Sequence, residues 1–400
     1  MTTRLFDPLK KLTIVLSEVF SSFRRNNDLT AASSLAFSAT LALIPALFLL
    51  TILLGAAIGS SARALAKTQE LLTQMIPAYS QDILREVSFI TSHKGTIGLL
   101  NSLVMLWTIT PLVADMRVLL GTVFRKKPTR PFLMEKLFDV AISLVFLVGL
   151  SAIAVAGVLF TLAERQGHVH ISLGYAAGAL PFLFVVAVVF SLYLIFSARA
   201  NIGHLMIGAL AASLLWFAMR PAFHLFLTYN PGYGFAFGSF KSLFVVIIWI
   251  YCSLVVFLLG AEIAASLGRK ETVFIKNLME GKKNVPDEVY KRYVRSYEKE
   301  AVIFSEGDEG KEMFSLLKGT VGVRKDGREI AVIPRGKCFG EMSFLLSAPR
   351  SATAVALEDV ELVAISNENI NNLMNEFPEF VVEMLREMAL RLREANRQAE

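Results

Sequence analysis

Two side chains of opposite charge stand nine residues apart in the stretch CFGEMSFLLSAPRSATAVA, Cys338 to Ala356: Glu341 and Arg350. Gly340 permits a tight turn out of a strand, and EMSFLL predicts a short helix whose first backbone N–H groups attract an anion. Arg350 supplies a fixed positive fork for the same anion, which suits a phosphate. Glu341, an acceptor only when ionised, suits a ribose hydroxyl and repels the phosphate itself. A single ligand carrying one phosphate and a free 2′-hydroxyl a few ångströms apart meets both demands.

Short alternating strands must carry that stretch. From about Tyr293 onward the chain reads AVIF, EMFSLL, TVGVRK and REIAVI, with turns at Lys318 and Gly319, at Asp326 and Gly327, and from Pro334 to Gly336. ATAVAL and ELVAI finish the sheet, so a small β jelly roll is predicted. NENINNLMNEF and PEFVVEMLREMALRLREANRQ then predict two helices. Val381, Leu385, Met388 and Leu392 repeat on the second as a coiled-coil seam or a stripe packed on the barrel.

Residues 293 to 398 resemble the cyclic-nucleotide-binding domain shared by catabolite activator proteins, kinase regulatory subunits and nucleotide-gated channels. FSEGDEGKEMFSLLKGTVGV matches its opening strands, with Gly307, Gly310 and Gly319 at turns, and FGEMSFLLSAPRSATAV matches its phosphate-binding cassette. The resemblance implies a cyclic nucleotide bound by Gly340, Glu341, Met342, Arg350, Ser351 and Ala352, with Glu341 on the ribose and Arg350 on the phosphate. Ser351 suits either purine, and cAMP is favoured over cGMP as the ligand. The helical segment before the barrel is short, limited to about DEVYKRYV, and no helix-turn-helix pattern follows the barrel. A homodimer through the C-terminal helix is the protein partner this layout suggests, alongside the nucleotide and membrane lipid.

The chain before the roll lives in another solvent. Of 400 residues 54% are hydrophobic and 18% charged, too apolar for an ordinary soluble protein, and the long apolar runs all precede residue 268. Six windows are long enough to cross a hydrocarbon core as helices: about 35–58, 97–120, 137–163, 173–197, 203–227 and 240–267. The expected fold is therefore an α-helical membrane bundle of six transmembrane helices followed by a cytoplasmic β jelly roll with C-terminal helices. The divisions are an N-terminal arm at 1–30, the membrane domain at 31–270, a linker at 271–292 and the nucleotide domain at 293–400. The segment 62–93 reads as an amphipathic helical hairpin, and NPGYGFAFG, Asn230 to Gly238, as a turn between spans.

Charge sets orientation and excludes one class of partner. Residues 1–283 hold 24 Lys and Arg against 13 Asp and Glu, whereas residues 284–400 hold 16 against 21. The basic excess belongs to the membrane half, so a nucleic-acid reading is set aside. Arms and loops on one side of the spans carry 16 basic residues against 6 on the other, which puts both termini in the cytoplasm of a bacterial inner (plasma) membrane. No cleavable signal peptide is expected, and two cysteines, Cys252 and Cys338, make no disulfide framework.

Ionisable groups inside spans cost several kcal/mol unless paired or wetted. Asp115, Arg117, Asp139 and Glu262 share one depth near the inner ends of their spans, and Arg220 lies toward the outer end of the fifth, one turn before His224. Two readings stand: Glu262 and Arg117 pair to lock helices, or these charges serve substrate or protons.

LTAASSLAFSATLALIPALFLLTILLG, IGALAASLLWFAMRPAFHLFL and YGFAFGSFKSLFVVIIWIYCSLVVFLLGAEIAA resemble the YihY/BrkB family of six-span inner-membrane proteins, over about residues 10 to 270. Members were formerly labelled ribonuclease BN. No His and acidic cluster with metal spacing supports that label here, and no nucleophile and base pair stands out, so neither an enzyme nor a metal is expected. The resemblance implies a transporter or exporter regulated by the nucleotide. The alternative is a non-transporting membrane scaffold whose jelly roll serves dimerisation or nucleotide sensing.

Overall fold

A computed structural model describes residues 3–58, 96–125, 131–165, 176–197, 200–229, 241–282 and 285–378, with helical residues 382, 385–386, 389–390 and 393 beyond them. The segments 62–93 and 230–238, and most of the second C-terminal helix, lie outside the described residues. The chain forms two units, residues 21–265 and residues 1–20 with 266–400.

An amphipathic helix, α1 (Thr3–Arg25), comes first. The apolar runs that follow cannot leave a backbone polar group unpaired in lipid and fold as helices: α2 (Asp28–Ile58), α3 (Thr96–Val123), α4 (Phe132–Arg165), α5 (Ala176–Phe196), α6 (Ile202–Tyr229) and α7 (Lys241–Gly268). Among the described residues three stretches have the length and hydropathy to cross a membrane: Leu106–Val123, Ile202–Tyr229 and Leu243–Gly268. The helices α2, α4 and α5 coincide with the other three expected windows.

In this unit small and polar side chains share the interior with larger apolar ones, while many large apolar side chains face outward. Alanines 32, 209, 212, 261 and 264 are buried, as are Asp139 and Glu262, while Trp107, Leu133, Val145, Leu183 and Leu214 are exposed. Small residues bring backbones together: a Cβ on Gly208 would lie 2.5 Å from the carbonyl oxygen of Gly260, and one on Gly260 would lie 2.5 Å from the Ala212 Cβ. Gly208 and Ala212 on α6 therefore mesh with Gly260 and Ala264 on α7 in the small-xxx-small manner of membrane helices. The Tyr193 hydroxyl of α5 donates to the Phe257 carbonyl of α7 at the same crossing.

In the second unit α8 (Lys270–Met279) and α9 (Asp287–Tyr293) precede eight strands among the described residues. The stretch 271–292, expected as a linker, is thus largely helical, and Val273, Phe274, Ile275 and Leu278 are buried with Ile14 of α1. The strands are β1 (Val294–Tyr297), β2 (Val302–Phe304), β3 (Glu312–Lys318), β4 (Val321–Lys325), β5 (Arg328–Ile333), β6 (Cys338–Phe339), β7 (Thr353–Ala356) and β8 (Val360–Ser366). A six-residue helix α10 (Glu341–Leu346) separates β6 from β7, and α11 (Asn367–Glu376) follows β8.

Two four-stranded sheets, ordered β1-β8-β3-β6 and β2-β7-β4-β5, make the roll, and every pairing is antiparallel. Phe314, Leu316, Val321, Phe339, Ala354 and Leu362 fill the space between them. β3 is buried from Met313 to Ser315 and on to Leu316 because both faces are covered: Phe314 and Leu316 face the inter-sheet core, Met313 the helices α8 and α11. A strand covered on both sides loses the apolar–polar alternation. Asp326 and Gly327 both have positive φ, +50° and +76°, which makes the β4–β5 connection a type I′ hairpin turn.

Candidate functional site

The stretch Cys338 to Ala356 leaves β6 at Phe339 and turns at once. Gly340 has φ +72°, and a Cβ there would lie 2.7 Å from Arg350 Nη1, so both backbone and space require glycine. α10 runs six residues and stops at Ser347, φ +51°, whose own left-handed backbone ends it. Arg350 is then anchored by its main chain: its N–H donates to the Asp308 carbonyl at 2.8 Å, and its carbonyl accepts from the Gly307 N–H at 2.9 Å.

The Arg350 side chain is 5% exposed. Nη1 donates to the Gly340 carbonyl and to Ser343 Oγ, both at 2.8 Å, and Nη2 donates to the Glu312 carbonyl at 2.7 Å. The guanidinium lies over the Phe304 ring, 4.2 Å from its centroid, within a stack of Phe304, Phe314 and Phe339. Nε is buried with no hydrogen-bond partner. Burial lowers the Arg350 pKa, and the charges of Glu312, Asp308 and Glu341 act against that. Among the described residues every acceptor touching the guanidinium directly is neutral.

In front of Arg350 lies a cavity of about 200 Å³. It brings together all six residues expected there, Gly340, Glu341, Met342, Arg350, Ser351 and Ala352. Arg350 and Ala352 are buried, Glu341 is half-buried, and Met342 and Ser351 are exposed. Sequence reasoning missed the apolar wall, Phe304, Val323, Ala331, Ile333 and Phe339, and it missed Ser343. The wall comes from four different strands, and only their antiparallel register unites it. Ser343 had a signal, a small polar residue three places after Gly340 in an otherwise apolar helix.

The membrane-half candidates do not gather into one place. Arg117 Nε and Nη2 bond Asp139 Oδ1 and Oδ2 at 2.7 and 3.1 Å, and Nη1 meets Glu135 at 3.1 Å. The expected Arg117–Glu262 pair is therefore not formed: Glu135 and Asp139 stand one turn apart on α4 and face α3, so both ends of the guanidinium are taken. Glu262 accepts from Asn26 Nδ2. Asp115 accepts from Ser38 Oγ at 2.7 Å. Arg220 is exposed and lies over Trp216 and Phe217, 5.0 and 5.5 Å from their centroids. Trp216 is itself held by its Nε1–H on Ser253 Oγ at 3.0 Å.

Apolar-faced helices before a β roll with a buried arginine in its cavity define a membrane protein with a cyclic nucleotide-binding domain. The family model described as cyclic nucleotide-binding domain matches residues 294–377. The model described as Virulence factor BrkB matches residues 19–284, and the chain belongs to that family. Among relatives, UPF0761 membrane protein azo3165 of Azoarcus sp. (strain BH72) is 28% identical over 265 residues, 65% of this chain and 64% of that protein. The chain thus spans less than two thirds of that relative's length. The Cyclic AMP receptor protein of Thermus thermophilus is 36% identical over 107 residues, 26% of this chain and 50% of that one. A crystal structure of a cyclic nucleotide-binding domain from Methylobacillus flagellatus is 23% identical, with 32% of this chain and 83% of that one covered and a TM-score of 0.26.

Proposed function

We propose that this is a six-span transporter or exporter of the bacterial inner membrane, both termini cytoplasmic, whose activity is set by a cyclic nucleotide held in the β roll. One observation carries the nucleotide assignment: a buried guanidinium, touched only by neutral acceptors and keeping Nε free, borders a cavity that also holds Glu341. Arg350 takes the phosphate, Glu341 the ribose, and Gly340, Met342, Ser351 and Ala352 complete the contact. cAMP is favoured, in line with the relative named a cyclic AMP receptor protein. The exposed Leu385 supports a homodimer through the C-terminal helix.

Titration calorimetry of the full-length protein in detergent, with cAMP and then cGMP, tests the assignment. Saturable binding with cAMP the tighter ligand is expected; no heat from either overturns it. Orientation rests on the 16 against 6 basic residues. Single cysteines replacing Gln166 and Gly232 should react with an impermeant thiol reagent in intact cells, and one replacing Pro128 should not.

The scaffold reading keeps an observation of its own. Arg117, Asp139, Asp115 and Glu262 each have a protein partner, as helix-locking residues would. Flux of candidate solutes into vesicles holding the protein, with and without cAMP, separates the two: nucleotide-dependent flux supports transport, and flux equal to empty vesicles supports the scaffold.

A further inference from the structure

Arg350 has five N–H donors. Three are in use, two from Nη1 to Gly340 and Ser343 and one from Nη2 to Glu312, which leaves the Nε hydrogen and the second Nη2 hydrogen. Nη1 is fully committed inside the protein, so the donors left for an anion are those of the Nε and Nη2 edge, a two-pronged donor that matches two oxygens of one phosphate.

Ser343 determines which edge is free. Its hydroxyl accepts from Arg350 Nη1 at 2.8 Å and donates to the Gly340 carbonyl at 3.3 Å, so Gly340, Ser343 and Arg350 close a three-membered polar ring. The hydroxyl fills a slot that leaves no spare room: a Cβ on Gly310 would lie 2.2 Å from Ser343 Oγ and 3.2 Å from Arg350 Cζ. Ser343 is 3% exposed. A side chain this small cannot reach across a nucleotide pocket, yet it is bonded to the one cation in that pocket.

Resting on the nucleotide reading above, we propose that Ser343 is the positioning residue of the phosphate site: it locks Nη1 of Arg350 to the protein and thereby aims the Nε and Nη2 edge at the ligand before the ligand arrives. Without the hydroxyl one Nη1 hydrogen has no acceptor, and only the Gly340 and Glu312 carbonyls still hold the guanidinium. A preset fork distinguishes the two exocyclic oxygens of a cyclic phosphate, because only one arrangement of them meets both prongs.

The test uses full-length protein in detergent and the two phosphorothioate diastereomers of cAMP, which replace one or the other exocyclic oxygen by sulfur. Wild-type protein should bind cAMP and should favour one diastereomer. Ser343→Ala should weaken cAMP about tenfold, the loss expected for one hydrogen bond to a charged group, and should bring the two diastereomers toward equal affinity. Gly310→Ala, which pushes into the same slot from the opposite side, should shift the diastereomer ratio in the same direction. Ligand-free melting temperature, followed in parallel, reads any general loss of fold. Equal weakening of both diastereomers in Ser343→Ala, with their ratio kept, would mean a merely structural residue and overturns the proposal. Unchanged affinity and ratio overturn it as well, while leaving the nucleotide reading intact. A wild-type protein that binds no cyclic nucleotide removes the reading and this proposal together.

Discussion

Two arginines, the half-buried Arg117 of the helical unit and the buried Arg350 of the β unit, hold their charges in opposite ways. Arg117 of the helical unit is gripped by two carboxylates, Asp139 through both of its oxygens and Glu135 through one. Arg350 of the β unit is gripped by two carbonyls and a hydroxyl, and no carboxylate among the described residues bonds it directly. The first cation is neutralised by its own protein; the second is only oriented by it. A guanidinium whose charge is already matched adds little to an incoming anion, whereas one fixed by neutral dipoles keeps its full attraction. Burial of an arginine is therefore a poor guide to role, and the charge of its acceptors is a better one.

The sharpest way to break this contrast is to remove each arginine and measure both stability and binding. Arg117→Ala leaves Asp139, fully buried, without its cation, and breaking a buried pair from one side costs about 3–5 kcal/mol. Thermal unfolding in detergent should show that loss, and Arg117→Leu with Asp139→Leu should recover much of it. Nucleotide affinity of whatever remains folded should be unchanged. An Arg117→Ala protein as stable as wild type would mean that the carboxylates do not depend on the guanidinium.

Arg350→Ala should reverse the pattern. Truncating one partner of a desolvated charge pair costs about 2–5 kcal/mol of binding, so affinity for cAMP should fall well over tenfold by calorimetry. Stability should fall less than in Arg117→Ala, by about 1–3 kcal/mol, because what is left behind is unsatisfied carbonyls at Gly340 and Glu312 rather than a charge. Wild-type affinity in Arg350→Ala would remove the pocket assignment.

Glu341 sharpens the same pocket with a smaller effect. Glu341→Gln keeps an oxygen that accepts from a ribose hydroxyl and loses only the charge assistance, about 1 kcal/mol. Binding should weaken about fivefold, and the penalty for 2′-deoxy-cAMP relative to cAMP should be smaller in the variant than in wild type, because the bond it removes has lost its charge assistance. A deoxy penalty equal in the two proteins would place that hydroxyl elsewhere.

The contrast between the arginines also explains what was legible in the sequence. The cassette was readable because its chemistry is local: Gly340, Glu341 and Arg350 lie within a dozen residues, and one turn and one short helix fold them together. Strands β2 to β5, β7 and β8 were readable from their short apolar runs and from turn residues such as Asp326 and Gly327. β1, VRSY, was not, since its burial does not alternate and it is a strand only because β8 pairs with it. The partner of Arg117 was out of reach for a different reason. Hydropathy fixes a residue's depth in a span but not the azimuth of its helix, so the sequence pointed to Glu262 as the partner, while the helices turn Asp139, at the same depth, toward Arg117. The helix N-terminal anion site expected at Glu341 also shrinks, because α10 has six residues and a macrodipole needs a longer stack.

The smallest effect lies at the edge of the β unit, where a polar contact with neither a buried cation nor a ligand should barely register at neutral pH. The Tyr290 hydroxyl of α9 donates to the Glu361 carboxylate of β8. Burial first, then the bond and charge of Glu361, push the Tyr290 pKa up to about 12 from 10.0. A raised pKa means the folded state holds its proton longer than the unfolded chain, so this contribution is intact below pH 10 and is lost as pH rises toward about 12. Tyr290 is 36% exposed, so solvent screening keeps the contribution modest. Melting temperatures of wild type and Tyr290→Phe, followed from pH 8 upward, should therefore differ by a small constant amount to about pH 10 and converge beyond it. A difference that persists unchanged through that range would mean that the phenol proton is not held between Tyr290 and Glu361, and that α9 is fastened to β8 by packing alone.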